Sequence, residues 1–143
     1  MTLYLDTSAL VKLYIEEPEA QLVRDAVSGA AGIATSQLGY VELRSALARR
    51  RREGSITAPD YAQLLGQVEP DFRGFYLIPV SRRLIADSAE LSERHGLRAY
   101  DAVHLASALE SRTRSSQVIF ACWDLTLRNA AESTGLQTLG PRS

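Results

Sequence analysis

Apolar residues in this chain gather into short runs separated by longer stretches of helical spacing, and that alternation sets the expected fold class. Five runs read as strands, at residues 3–5, 32–35, 76–80, 117–121 and, more weakly, 137–139. Most are continuous rather than alternating, the pattern of strands covered on both faces. Between them apolar positions recur every three or four residues. One helical stretch opens near Ser8; a second starts at Pro18, whose fixed φ suits a first helical position, and stops at Gly29. A third runs over residues 37–53, up to Gly54. Residues 59–74 are helical in character, with a break expected at Pro70, which lacks the amide an interior position needs. Ser81 caps a helix ending at Gly96, and further helical stretches cover 99–112 and 124–133, the last closed by Gly135.

Strands alternating with helices predict an α/β domain in which helices cover both faces of a central, mostly parallel five-stranded sheet. No repeat, linker or low-complexity segment interrupts the pattern, so residues 1–143 are expected to form one domain. A chain of 143 residues can bury a substantial core, and 45% apolar with 23% charged residues is an ordinary soluble composition. The net charge of -1 supplies no global field for nucleic acid or an anionic membrane, so any such partner must be recognised locally. Cys122 is the only cysteine, which excludes an internal disulfide and a thiolate zinc site. With His95 and His104 the only histidines, a histidine-rich metal site is a poor fit. No apolar run is long enough to cross a bilayer, and Asp6 interrupts the N-terminal one, so a cytoplasmic protein with no membrane partner is expected.

Four acids stand where solvent-facing charge is not expected. Asp6 ends the first strand, Asp124 follows the run "VIFACW", Glu42 has Leu38 and Ala46 one turn to either side, and Asp101 has Leu105 one turn on. Singly, each has a bland reading as a helix cap, a first-turn acid or a half-exposed helix residue. Together they suggest a site. Ligands of open α/β sheets bind outside the carboxyl ends of the strands, where Asp6 and Asp124 fall, and a helix that follows a strand starts at that same edge. Two carboxylates about 4 Å apart repel by roughly 4 kcal/mol at an effective dielectric near 20, equivalent to about 3 pKa units. A divalent cation removes that cost. Oxygen-only donors favour Mg²⁺ or Mn²⁺ over zinc, and such an ion polarises a phosphoryl oxygen and activates water for phosphodiester hydrolysis.

The four acids lie in the segments "LYLDTSALVKLY", "TSQLGYVELRSAL", "LRAYDAVHLASAL" and "VIFACWDLTLRNAA". In order and spacing these resemble the PIN-domain ribonucleases, and most closely the VapC-type toxins of bacterial toxin–antitoxin pairs. The resemblance implies a three-layer α/β/α domain and a Mg²⁺- or Mn²⁺-dependent endoribonuclease. It implies that Asp6, Glu42, Asp101 and Asp124 are the catalytic acids, with Asp6, Asp101 and Asp124 as metal ligands and Glu42 as a further ligand or the group that orients the water. Ser8 is then a supporting hydroxyl beside Asp6. Where the family often carries Thr or Ser two residues before the fourth acid, this chain has Cys122, a poorer hydrogen-bond partner, beside the bulky Trp123.

Partners follow from the same resemblance: an RNA substrate, a separately encoded antitoxin and a second copy of the chain in a homodimer. Apolar stripes on residues 18–29 and 59–74 are read as surplus to covering the sheet, hence as interface. Arg49 and Arg50 are either solvated cations at a helix C-terminus or contacts to RNA phosphates. His104, three residues after Asp101, reads as a packed histidine rather than a base. Two rivals stand beside the nuclease: an aspartate-based phosphoacceptor or phosphatase, which "DTS" without a second acid disfavours, and a PIN-fold binding domain weakened at Cys122.

Overall fold

The structure, a computed structural model, describes residues 1–141. Its elements follow in the order β1 (Thr2–Leu5), α1 (Thr7–Tyr14), α2 (Ala20–Gly29), β2 (Gly32–Ser36), α3 (Gln37–Arg52), α4 (Ala58–Gly74), β3 (Tyr76–Ile78), α5 (Arg82–His95), α6 (Ala99–Ser111), β4 (Val118–Ala121), α7 (Leu125–Ser133) and β5 (Gln137–Leu139). All strand pairs are parallel, in the order β3-β2-β1-β4-β5. The central strand β1 pairs with β2 from Thr2↔Gly32 and with β4 through Leu5↔Ala121.

Strand β1 divides its side chains between two cores, as a two-sided strand must. Leu3 and Leu5 pack with Ala9, Leu10, Val23, Leu43, Leu47, Val68 and Phe72, so α1 to α4 cover that face. Tyr4 points the other way, among Leu84, Leu91, Leu105, Phe120 and Leu127, under α5 to α7. Each fully buried leucine contributes about 1.5–3 kcal/mol, and the two sets together hold the three layers.

Several local expectations are corrected. The helix over Pro70 is unbroken from Ala58 to Gly74. The carbonyl that the proline ring would crowd belongs to Gly66, which is exposed, so the freed acceptor faces water and has no side chain beside it. Pro18 does not open α2; the helix begins at Ala20 after Glu19, whose φ of 67° places a non-glycine residue in the left-handed region. β3 stops at Ile78 because Pro79 has no amide to donate to a ladder. The apolar stripes of α2 and α4 are not surplus. Val23, Val68 and Phe72 are buried, and Val27, Tyr61, Leu64 and Leu65 pack against the same core. Among the described residues the exposed large apolar side chains are Met1, Val41, Tyr76, Val80, Ile85, Tyr100 and Leu125, none of them on α2 or α4.

The order of strands creates a crevice. From β1 the chain adds β2 and β3 on one side, then returns to place β4 on the other. The helices leaving the carboxyl ends of β1 and β4 therefore go to opposite faces: α1 lies with Leu3 and Leu5, whereas α7 lies with Tyr4 and Phe120. Where neighbouring strands send their helices apart, their carboxyl ends are left open.

Candidate active site

Asp6 follows β1 directly and caps α1. Its Oδ1 accepts the Ala9 amide at 2.9 Å and the Ser8 hydroxyl at 2.6 Å. The Ser8 oxygen in turn accepts the Trp123 amide at 3.0 Å, and the Asp6 amide donates to the Ala121 carbonyl at 3.2 Å. One serine thus ties the end of β1 to the segment leaving β4. Asp6 is only 4% exposed. Burial raises its pKa above the ordinary aspartate range, against the opposing pull of His104, the Ser8 hydroxyl and the Ala9 amide.

Asp124 repeats the device on the other strand. Its Oδ1 caps α7 by accepting the Leu127 amide at 2.9 Å. Its Oδ2 lies 3.6 Å from an Arg98 Nη2, and the same guanidinium donates from Nε to Asp101 Oδ2 at 3.0 Å. Arg98 immediately precedes α6, and Asp101 sits in that helix's first turn. Burial, partly offset by Arg98, raises the Asp101 pKa, and the nearby Asp124 adds to the rise. Helix α6 follows α5 rather than a strand, contrary to the simple expectation for a helix at this edge. It is the packing of α5 against α6 that turns the chain so that α6 starts beside Asp124 and ends by feeding β4.

Glu42 reaches the site from α3, which leaves β2 directly behind the Ser36 cap. Its Oε1 lies 2.7 Å from His104 Nε2. Gly39, one turn earlier, lies close against Thr35: a Cβ there would lie 2.6 Å from Thr35 Oγ1, the hydroxyl that donates to the Leu5 carbonyl, whereas His104 Cε1 at 3.6 Å would be an ordinary contact. His104 is 1% exposed, and its electrostatic influence also reaches Asp6 and Asp101. So the outer pair of acids shares Arg98, and the inner pair faces His104. Among the described residues no three His, Cys, Asp or Glu side chains already stand in an arrangement that could hold a metal ion.

Against known proteins, the PIN domain family model matches residues 3–115. The chain belongs to the PIN domain family. This PIN chain is 32% identical over 136 residues to ribonuclease VapC45 of Mycobacterium tuberculosis, covering 92% of this chain and 90% of the relative. To ribonuclease VapC47 of the same organism it is 32% identical over 143 residues, covering 97% and 96%. That second match leaves too few residues uncovered to omit Asp124, which the family model does not reach. In fold it resembles VapBC2 from Rickettsia felis, bound to a promoter DNA fragment, with a TM-score of 0.67 at 13% identity over 99% of this chain and 100% of that one. A toxin–antitoxin complex from Klebsiella pneumoniae gives 0.63 at 18% identity over 85% and 86%.

Cys122 occupies the last position before Trp123, with Sγ 3.4 Å from the Asp124 amide, from which it accepts, and an interaction with Asp6. Burial and the two aspartates hold the thiol well above its usual range, so it stays protonated. Arg50 forms an ion pair with Glu17 at 2.6 Å, and Glu17 also holds Lys12 at 3.2 Å; Arg49 lies 3.8 Å from Glu53. A groove of about 690 Å³ between α5 and α6 contains none of the four acids.

Two residues of this PIN site were not assigned to it from the sequence. Arg98 falls three residues before Asp101, the spacing at which helix-start side chains meet, and that spacing was the available signal. His104, read as a packed histidine, is indeed buried, but its ring nitrogens are spent on Tyr4 and Glu42.

Proposed function

We propose that this PIN-domain chain is a divalent-metal-dependent endoribonuclease and the toxin half of a toxin–antitoxin pair, with Asp6, Glu42, Asp101 and Asp124 as its catalytic acids. The observation that carries the reading is the approach of these acids to the open edge between β1 and β4, in a chain whose relatives bear the name ribonuclease VapC. A hard cation fits the residues by charge and by donor type. Asp6 and Asp101 are raised by burial, and Asp101 with Asp124 already draws in one guanidinium, so the edge is short of positive charge. The donors are carboxylate oxygens, which suit Mg²⁺ or Mn²⁺. Asp6, Asp101 and Asp124 would hold the ion: Asp6 and Asp101 each keep an oxygen beyond the one used for capping or pairing, and Asp124 would offer Oδ2 in exchange for its contact with Arg98.

When bound, such a cation polarises a phosphoryl oxygen and lowers the pKa of a water. The chain supplies the rest. Ser8 and the Ala9 amide fix the Asp6 carboxylate, and Cys122 does the same, more weakly, for the start of α7. Glu42, held through Oε1, offers its other oxygen to orient the attacking water and take its proton. The Arg98 side chain is 64% exposed, so it can exchange the carboxylates for an RNA phosphate.

The partner reading rests on the same likeness. An antitoxin that placed a basic side chain among the acids would offset their repulsion as a cation does, and would compete with it. A homodimer is tested by light scattering at tens of micromolar. The nuclease itself is tested with purified protein and end-labelled RNA: cleavage with Mg²⁺ or Mn²⁺ that disappears in excess EDTA is expected, and undiminished cleavage in EDTA overturns it. Growth arrest on expression without the neighbouring gene is expected of a toxin, and normal growth with abundant soluble protein contradicts that role.

A further inference from the structure

His104 makes more contacts than a packing histidine needs. Its Nδ1 lies 2.8 Å from the Tyr4 hydroxyl, and its Nε2 lies 2.7 Å from Glu42 Oε1 with Thr7 Oγ1 at 3.1 Å. The ring also meets the Tyr4 ring edge-on, at 5.9 Å between centroids, while Tyr4 stacks on Phe120 at 5.5 Å. Tyr4 is fully buried in β1, Glu42 is on α3 and His104 on α6, so one chain of hydrogen bonds joins three elements on both faces of the sheet.

Donor and acceptor chemistry fixes its direction. A carboxylate only accepts, so His104 Nε2 must carry the hydrogen that meets Glu42. In the neutral ring Nδ1 is then an acceptor, and the Tyr4 O–H donates to it. The sequence Tyr4 to His104 to Glu42 therefore runs one way from the core to the acidic edge. Hydrogen bonds aligned in this manner inside a low-dielectric core strengthen one another. Asp6, by contrast, is held through its local serine and a helix amide.

We propose that His104 is a positioning residue for the RNA cleavage suggested above: it locks one oxygen and the rotamer of Glu42 against Tyr4, and presents the other oxygen to the reacting water. The proposal rests on the nuclease reading for its effect on rate, but the hydrogen-bond chain stands on geometry alone. Without the imidazole, Glu42 is a partly exposed helix carboxylate with several rotamers open to it. A supporting residue of this kind alters activity by roughly 10- to 100-fold when removed.

The test uses the full chain, with His104→Leu, His104→Gln and Tyr4→Phe, and two independent readouts. In RNA cleavage, His104→Leu lowers kcat by about 10- to 100-fold with little change in KM, and His104→Gln, whose amide can still donate to Glu42, recovers most of it. Tyr4→Phe falls between wild type and His104→Leu. In long-range ¹H–¹⁵N spectra of the imidazoles, His104 shows the Nε2–H tautomer, and Glu42→Ala moves its Nε2 signal while that of His95 stays in place. Unchanged kcat in a folded His104→Leu protein overturns the proposal. So does a His104 signal indifferent to Glu42→Ala, or a Gln variant as impaired as the Leu variant at equal melting temperature. Wild-type protein that cuts no RNA defeats the nuclease reading instead, and the spectra then still decide whether His104 holds Glu42.

Discussion

Asp6 and Asp124 have the same job in the backbone, each capping the helix that follows its strand, yet their carboxylates live in different surroundings. Asp6 is 4% exposed and held by a hydroxyl and an amide; the Asp124 side chain is 39% exposed and shares a guanidinium with Asp101. The inner part of the site, with Glu42 and His104, is organised by short hydrogen bonds from groups that cannot leave. The outer part is organised by one long exposed side chain that can. The difference teaches how a cluster of like charges survives folding. Where water is excluded, fixed donors that cannot leave carry the burden; where water remains, a mobile cation does so at little cost, because solvent screens what it leaves behind.

The largest effect expected from breaking this contrast is on activity. Asp6→Asn should reduce RNA cleavage by roughly 10³-fold or more, as losses from residues acting as a unit usually do. It should not unfold the protein, since Asn caps helices as well as Asp, and in EDTA the variant should melt at or above the wild-type temperature. Asp101→Asn should cost similar activity but yield a smaller gain in melting temperature, because Arg98 already compensates that charge. A metal-free Asp6→Asn protein melting well below wild type would show that the buried charge is not a liability.

Stability against pH sharpens the same point. Asp6 and Asp101 are raised by burial, so between the ordinary aspartate value and their raised values the folded chain holds more protons than the unfolded one. Stability without metal therefore falls as pH rises through that window and is fullest below it. Thermal melts in EDTA from the ordinary carboxylate range upward should show this decline, and Asp6→Asn should flatten it. A divalent cation should reverse the trend, because it binds the deprotonated acids.

Arg98→Ala addresses the outer part alone. With the competing guanidinium removed, Mg²⁺ or Mn²⁺ should bind about two- to fivefold more tightly, a modest change because the residue is exposed and screened. The fluorescence of Trp123, the only tryptophan and a neighbour of Asp124, provides the titration signal. Equal affinity in the two proteins would mean that Arg98 does not contest the site. Cys122→Thr should have the smallest effect, a gain of less than about tenfold in metal affinity or activity, because the thiol already accepts the Asp124 amide, though at 3.4 Å. Identical isotherms would make Cys122 a neutral packing choice.

Much of this was legible in the chain. The five strands and the α/β class follow from runs such as "VIFA" that need cover on both faces, and Asp6 and Asp124 stand out because strand ends in such sheets deliver side chains to one edge. Pro70 misled because a proline's cost depends on the residue one turn earlier, here an exposed glycine. The stripes on α2 and α4 misled because periodicity says that a face is apolar and not what covers it; Phe72 and Val23 went to the core.

Local chemistry in the sequence determined which stretches are strands and which are helices, and which acids sit at strand ends, because those depend on near neighbours. It could not decide that Arg98 joins Asp101 to Asp124, that Ser8 reaches the Trp123 amide, or that His104 meets Tyr4 a hundred residues away. Those pairings exist because β4 returns beside β1 and because α6 packs across β2 and β4. They are set by the strand order and by distances of a few ångströms between elements, which come into being only when both cores have packed.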